Sequence, residues 1–395
     1  MKRWLAAGLA ATFAVTVPQA AQVGGQTQPR EAPRLLQAKA GDPAKASLDF
    51  LKRMLENPSP SGYETPVQRL WTEYTAAFVE KSSIDIKGNA VGVVNVKGSP
   101  RVMFAGHCDE IGFIVRYIDD KGFLSFGAVG GFDEPIIPGR RVVVHTAQGP
   151  VPGVIGKPPI HLMKAEDRGK GASIGSLSID IGAKDKKEAE SIVALGDPVT
   201  YPFEFVELRN GLCTARGFDD RIGSFIVAEA LRSLAGSRTL KAAVYGVSTV
   251  QEEIGAAGAR TSAFGIDPLV GIAVDVTHAA DQPGVERKEV GDVVLGGGPV
   301  ITRGAYVNPK VFALLVECAK KRNIPYQIEV SPSRTGTDAD VIYISRAGVA
   351  AGVVSIPLRY MHTPVETLCI EDVENTIRLL AAFAEAITPE MTFVP

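Results

Sequence analysis

The chain is predicted to be an α/β protein, with a mainly parallel sheet flanked by helices and a small all-β barrel domain inserted into it. Three observations carry this prediction. Apolar, β-branched runs alternate with helical patterns near the start of the chain and again after residue 203. Between them, residues 112–202 show only short alternating strands, separated by Gly, Pro and Asp turns, and no convincing long helix. A length of 395 residues also exceeds what one ordinary core accommodates.

Taken in order, the chain opens with Lys2 and Arg3, an apolar run to Val17, and the small residues Ala20 and Ala21. This is the signal-peptide pattern over residues 1–22, and the run is shorter than the ~20 apolar residues of a spanning helix. It implies export, to the periplasm or the medium. Residues 23–45, rich in Gln, Pro, Ala and Gly, are expected to form a disordered lead-in.

The main domain then has two parts, residues 46–111 and 203–395. In the first, Leu48, Leu51, Met54 and Leu55 recur at helical spacing, Pro66 opens a second helix, and strands follow over 91–96 and 102–105. The inserted domain, 112–202, reads as strands at 113–118, 123–129, 141–146, 151–155 and 198–201. In the second part, helices are expected over 219–234, 258–264, 309–321, 338–346 and 370–387. Strands are expected over 242–249, 270–276, 326–330 and 349–356.

A net charge of −2, with 45% hydrophobic and 22% charged residues, gives no electrostatic ground for nucleic acid or a membrane surface as partner. The four cysteines (Cys108, Cys213, Cys318, Cys369) are scattered without CxxC spacing, which argues against a thiolate zinc site. Cys213, Cys318 and Cys369 lie among apolar residues, as buried free thiols do, although an exported chain could oxidise them.

The doublet Glu252-Glu253 stands where the apolar run 243–249 ends. In open α/β sheets the carboxyl ends of parallel strands face one crevice. His107 follows strand 102–105, Asp275 closes the run 270–274, His362 lies just past 353–356, and Asp219-Asp220 opens a helix. Each alone has an ordinary explanation: a turn acid, a surface histidine, a helix N-cap. Together on one sheet edge they are an imidazole and carboxylate set suited to two divalent cations, zinc first, with cobalt or manganese also acceptable. His107, Asp219, Glu253, Asp275 and His362 supply five ligands, one of them bridging. Glu252 is left over, and hydrolysis needs such a spare carboxylate as general base.

The motifs GHCDEIGF, GFDDRIG, VSTVQEEIGAAGAR, AVDVTHA, GTDAD and PLRYMHTPVE, in this order from about residue 46 to the C-terminus, resemble the set of metallopeptidase family forty-two. These are the dinuclear-metal aminopeptidases of glutamyl and tetrahedral (TET) type. The resemblance implies a zinc-exopeptidase-like catalytic domain, with the inserted β-domain used for dimerisation and as a lid. It implies that His107 and Asp275 complete one metal and Glu253 and His362 the other, with Asp219 bridging and Glu252 shuttling the proton. Asp109 would hold the His107 imidazole in its tautomer. A cis bond is implied at Asp219-Asp220, and Thr337 and Asp338, which read equally well as helix N-caps, would lie near the substrate.

The expected activity is removal of the N-terminal residue from peptides with a free N-terminus, by a homo-oligomer (dimer or dodecamer). Two alternatives stand beside it. A related dinuclear-metal carboxypeptidase or N-acyl amidohydrolase would act on different peptide ends, and a catalytically silent metal- or peptide-binding protein would have no use for Glu252. A glycosidase needs two opposed carboxyl groups but no pair of histidine ligands.

Overall fold

The computed structural model describes residues 33–39, 41–164 and 171–395. The leader expected over residues 1–22 lies outside them. Of the lead-in, the described part is ordered, contrary to expectation. Helix α1 spans Arg34–Gln37, and α2 spans Pro43–Glu56, starting within the stretch expected to be disordered. The reason is local and long-range at once. Asp42 caps α2 by accepting the Ala44 N–H, Pro43 takes the first helical position, and the buried Leu35 gives its N–H to Glu374 near the far end of the chain.

Helix α3 (Thr65–Thr75) and strands β1 (Lys81–Ile84), β2 (Ala90–Val94) and β3 (Arg101–His107) follow. The barrel comes next: β4 (Gly112–Ile118), β5 (Leu124–Val129), β6 (Arg140–Thr146), β7 (Gly149–Gly156), β8 (Ser178–Asp180), α4 (Lys186–Ile192) and β9 (Pro198–Thr200). Strands β10 (Val206–Glu207) and β11 (Leu212–Ala215) lead back to α5 (Phe218–Leu234), β12 (Ala243–Thr249), α6 (Ala257–Ile266), β13 (Val270–His278) and α7 (Arg287–Val290). The chain ends with β14 (Val300–Gly304), α8 (Pro309–Lys321), β15 (Gln327–Ser331), α9 (Ala339–Ile342), β16 (Ala350–Leu358), β17 (Glu366–Cys369) and α10 (Ile370–Ala386).

The eight-stranded sheet has the order β1-β2-β12-β3-β13-β16-β14-β15. Its centre, β12-β3-β13-β16, is parallel throughout. The period of two along β3 builds both faces. Val102 and Phe104 enter the large core shared with α2, α3, α5, α8 and α10, while Met103 and Ala105 meet α6 and α9 on the other side. Strands β4-β5-β8-β7-β6-β9 close into an antiparallel barrel around a core of its own, including Phe113, Phe126, Val144 and Val199. A third, three-stranded sheet, β10-β11-β17, is antiparallel.

The helix expected over 338–346 is confined to the single turn α9; beyond it the chain continues in tight turns, with the Ser345 N–H on the Ile342 carbonyl and Arg346 in a left-handed backbone (φ 51°). All four cysteines are buried and free. Among the described residues no helix is long and apolar enough to cross a membrane.

Candidate active site

Because β12, β3 and β13 run parallel, their carboxyl ends deliver Thr249, His107 and the Asp275 segment to one edge. His107 ends β3, and its backbone N–H donates to Asp220 Oδ2 at 3.1 Å. Its ring Nδ1 lies 3.1 Å from the carbonyl oxygen of Asp109. A carbonyl only accepts, so Nδ1 carries the hydrogen and Nε2 presents a lone pair. That lone pair faces Asp219 Oδ1 at 3.3 Å. Such a pair is satisfied by a proton on Nε2 or by a cation held between the two atoms.

The same arrangement repeats at His362, whose Nε2 is 3.3 Å from Asp219 Oδ2 and 3.4 Å from Glu253 Oε2. Glu253 Oε1 is buried with no hydrogen-bond partner. Two groups result, His107-Asp219-Asp275 and Asp219-Glu253-His362, each with ligand atoms within 4.8 Å of one another. Asp219 belongs to both. It occupies the first turn of α5, where the backbone at Asp219 and Asp220 departs from helical angles and the bond between them is cis.

Electrostatics point the same way. Burial, followed by the charge of neighbouring carboxylates, pushes Glu253 and Asp275 well above the usual carboxylate range, although His107 opposes it. Burial also opposes the charging of His107, but hydrogen bonds to Asp109 and Asp219 outweigh it and raise its pKa. The cluster is thus short of positive charge. Divalent cations suit this donor set of two imidazoles and three carboxylates, and would offset the repulsion.

Glu252 belongs to neither group, and its Oε2 lies 3.9 Å from His107 Nε2. Burial pushes its carboxyl up to about 8, with Asp338, Asp109 and Asp219 adding to the shift and His107 opposing it. Asp109 is fully buried and acts as a hub. It accepts the backbone N–H groups of Glu252 (3.0 Å) and Glu253 (3.2 Å) and the Ser61 hydroxyl (2.6 Å). Burial opposes ionisation of Asp109, but its bonds from His107, Ser61 and Glu252 hold it below the usual range.

Of the two residues expected beside the substrate, Thr337 serves its own turn, accepting the Ala339 N–H at 3.1 Å. Asp338 accepts the Thr249 hydroxyl, and its Oδ1 is buried without a partner. Burial pushes Asp338 up to about 6. Two contributions go beyond the roles that the motifs suggest. Glu366, in the same HTPVE segment as His362, accepts the backbone N–H groups of Asp219 (3.1 Å) and His362 (3.0 Å). The barrel loop after β5 also reaches the site, since a Cβ on Gly131 would stand 3.8 Å from His362 Nδ1.

Residues 88–379 match the profile of the family described as M42 glutamyl aminopeptidase. The chain belongs to that family. It is 40% identical to the lysyl aminopeptidase of Pyrococcus furiosus over 88% of this chain and 99% of that protein. Among solved structures, a TET aminopeptidase from a marine-sediment Thaumarchaeota archaeon superposes with a TM-score of 0.84 at 34% identity, covering 88% of this chain and 98% of the other. The TET1 peptidase of Pyrococcus horikoshii, which can assemble into a tetrahedron or a large octahedral shell, gives 0.78 at 32% identity, covering 86% of this chain and 100% of that one. Members of the M42 family are hydrolases of peptide bonds, and the two ligand groups lie within the matched segment.

Proposed function

We propose that this M42 protein is an aminopeptidase in which His107, Asp219 and Asp275 hold one divalent cation and Asp219, Glu253 and His362 hold a second. The observation that carries the reading is the sharing of Asp219 between two imidazole-facing groups, with Glu252 3.9 Å from His107 Nε2 and part of neither. The donor set suits zinc first, and cobalt or manganese next. Such a pair supplies Lewis-acid activation of water and of the scissile carbonyl.

The chain's own residues do the rest. Glu252 takes a proton from the attacking water as the C–O bond forms, and returns it to the amine nitrogen as the C–N bond breaks. Asp109 fixes Glu252 and Glu253 through their backbones and keeps the His107 tautomer. The negative charge of Asp338 makes Glu252 more basic. The excess of carboxylates at the edge attracts a free α-ammonium, which favours peptides with unblocked N-termini. A homo-oligomer is the assembly supported by the TET1 relative. The residue pattern of 1–22 supports export, which the mass of the mature chain tests.

The decisive experiment compares free with N-acylated aminoacyl anilides on the wild-type chain and on Glu252→Gln. The wild type should cleave only the free substrates. Glu252→Gln should keep wild-type metal content and lose at least a thousandfold in kcat, a loss in line with removal of a general base. Preference for the acylated substrates would reject the aminopeptidase reading, and near-normal turnover by the variant would remove Glu252 from the mechanism.

A further inference from the structure

We infer that Glu366 is a positioning residue for one of the two proposed cations, the one held by Asp219, Glu253 and His362. The inference rests on the two-cation reading above.

Glu366 opens β17 and pairs with Ala215 at the end of β11. The small third sheet therefore sets side by side two loops that are far apart in sequence: the one entering α5 with Asp219, and the one carrying His362. Glu366 is 2% exposed, and both of its oxygens are used between these loops. Oε2 accepts the Asp219 N–H at 3.1 Å and Oε1 accepts the His362 N–H at 3.0 Å. His362 has a left-handed backbone (φ 60°), as does Tyr360 (φ 61°), a conformation that a non-glycine residue keeps only when its surroundings hold it there.

The other ligands are held differently. His107 lies in β3 with its N–H on Asp220, Asp275 lies in β13, and the Glu253 N–H is on Asp109. Glu366 therefore holds His362, which belongs to one group only, and the backbone of Asp219, which both groups share. Because His362 serves one cation alone, loss of Glu366 should loosen that cation more than its neighbour, a difference that a general packing role would not produce.

Glutamine at 366 is the informative replacement. A carboxylate offers an acceptor to each loop, whereas an amide offers one oxygen and turns its NH2 toward the second N–H. Metal-stripped wild-type and Glu366→Gln chains would be titrated with Co2+ and followed by visible absorption. Bound Zn2+ would be counted after dialysis, and melting temperatures measured without metal. Wild type should bind two cations. Glu366→Gln should keep one at near-normal affinity and bind the other about 10- to 100-fold more weakly, the usual effect of losing a residue that orients a ligand. Its metal-free melting should stay close to wild type.

Two cations bound normally by the variant would overturn the inference. So would equal weakening of both together with a lowered metal-free melting temperature, which marks a structural role. Should the glutamine variant fail to fold, Glu366→Ala, which removes the opposing amide, is read by the same criteria. A wild-type chain that binds fewer than two cations would overturn the two-cation reading itself.

Discussion

The carboxylate of Asp109 accepts the backbone N–H of Glu252 at 3.0 Å, so the proposed base is held by a residue 143 positions earlier in the chain. The same carboxylate takes the Glu253 N–H and the Ser61 hydroxyl and stands 3.5 Å from His107 Nδ1, whose shorter contact is with the Asp109 carbonyl. One buried side chain thereby sets the spacing between base, ligand and ring.

Replacing Asp109 by Asn keeps the shape but turns an NH2 toward one of these donors. Activity should fall about 10- to 100-fold, with weaker metal binding and little change in the far-ultraviolet circular dichroism. Unchanged kcat/KM in the variant would show that the hub is dispensable.

Glu253→Ala removes a ligand rather than the base. Metal analysis should show less than the wild-type content, and turnover should not be recovered by raising the pH. Full metal content would mean that Glu253 is not a ligand.

Gly223 packs α5 directly on the sheet. A Cβ there would come within 2.3 Å of Asp220 Oδ2 and 2.5 Å of the Val274 carbonyl. Gly223→Ala should disturb the Asp220 carboxylate that holds the His107 N–H, and overpacking of this kind costs about 1–3 kcal/mol. Thermal melting of the metal-free variant measures the packing cost, and metal titration measures the effect on the site.

His145 of β6 lies 2.8 Å from the Thr200 hydroxyl, and burial, with help from Arg216 and against Glu110, lowers its pKa from 6.5 to about 4. The unfolded chain therefore binds the proton more readily. This contribution to stability is complete above about pH 6.5 and is lost as the pH falls toward 4. Allowing for the ring's partial exposure, the loss amounts to about 1–2 kcal/mol. His145→Gln should flatten the melting profile between pH 6.5 and 4, and an identical profile would exclude His145 as its source.

Removing metal with a chelator should lower the melting temperature, because ions that bind only the folded chain add about 4 kcal/mol at a thousandfold excess over Kd. Calorimetry with and without added Zn2+ checks this. Equal melting temperatures would argue against tight cation binding.

Much of this was legible in the sequence, for identifiable reasons. The apolar runs at β3, β12, β13 and β16 are buried parallel strands, and such strands announce themselves and their ends. His107 ends β3, Glu253 and His362 follow β12 and β16, Asp275 lies toward the end of β13, and Asp219 opens α5, so the candidate site could be listed before it could be seen. What escaped depends on distant partners. Strands β11 and β17 have four residues each, too few for a periodic signal, and the role of Glu366 lies in bonds to the backbone of two other loops. The described lead-in is ordered because Leu35 finds Glu374, 339 residues away, which no local composition reveals. At Thr337 the bond to the Ala339 N–H matches the capping role that the sequence equally allowed.

The barrel sits between His107 and Asp219 in the chain, and His362 comes only after β16, the last strand of the parallel centre. No N-terminal fragment ending before that point contains the second ligand group. A growing chain can therefore have no complete version of the proposed centre before His362 is made, so the order of the proposed ligands along the polypeptide places peptide cleavage after the whole parallel sheet centre has been synthesised.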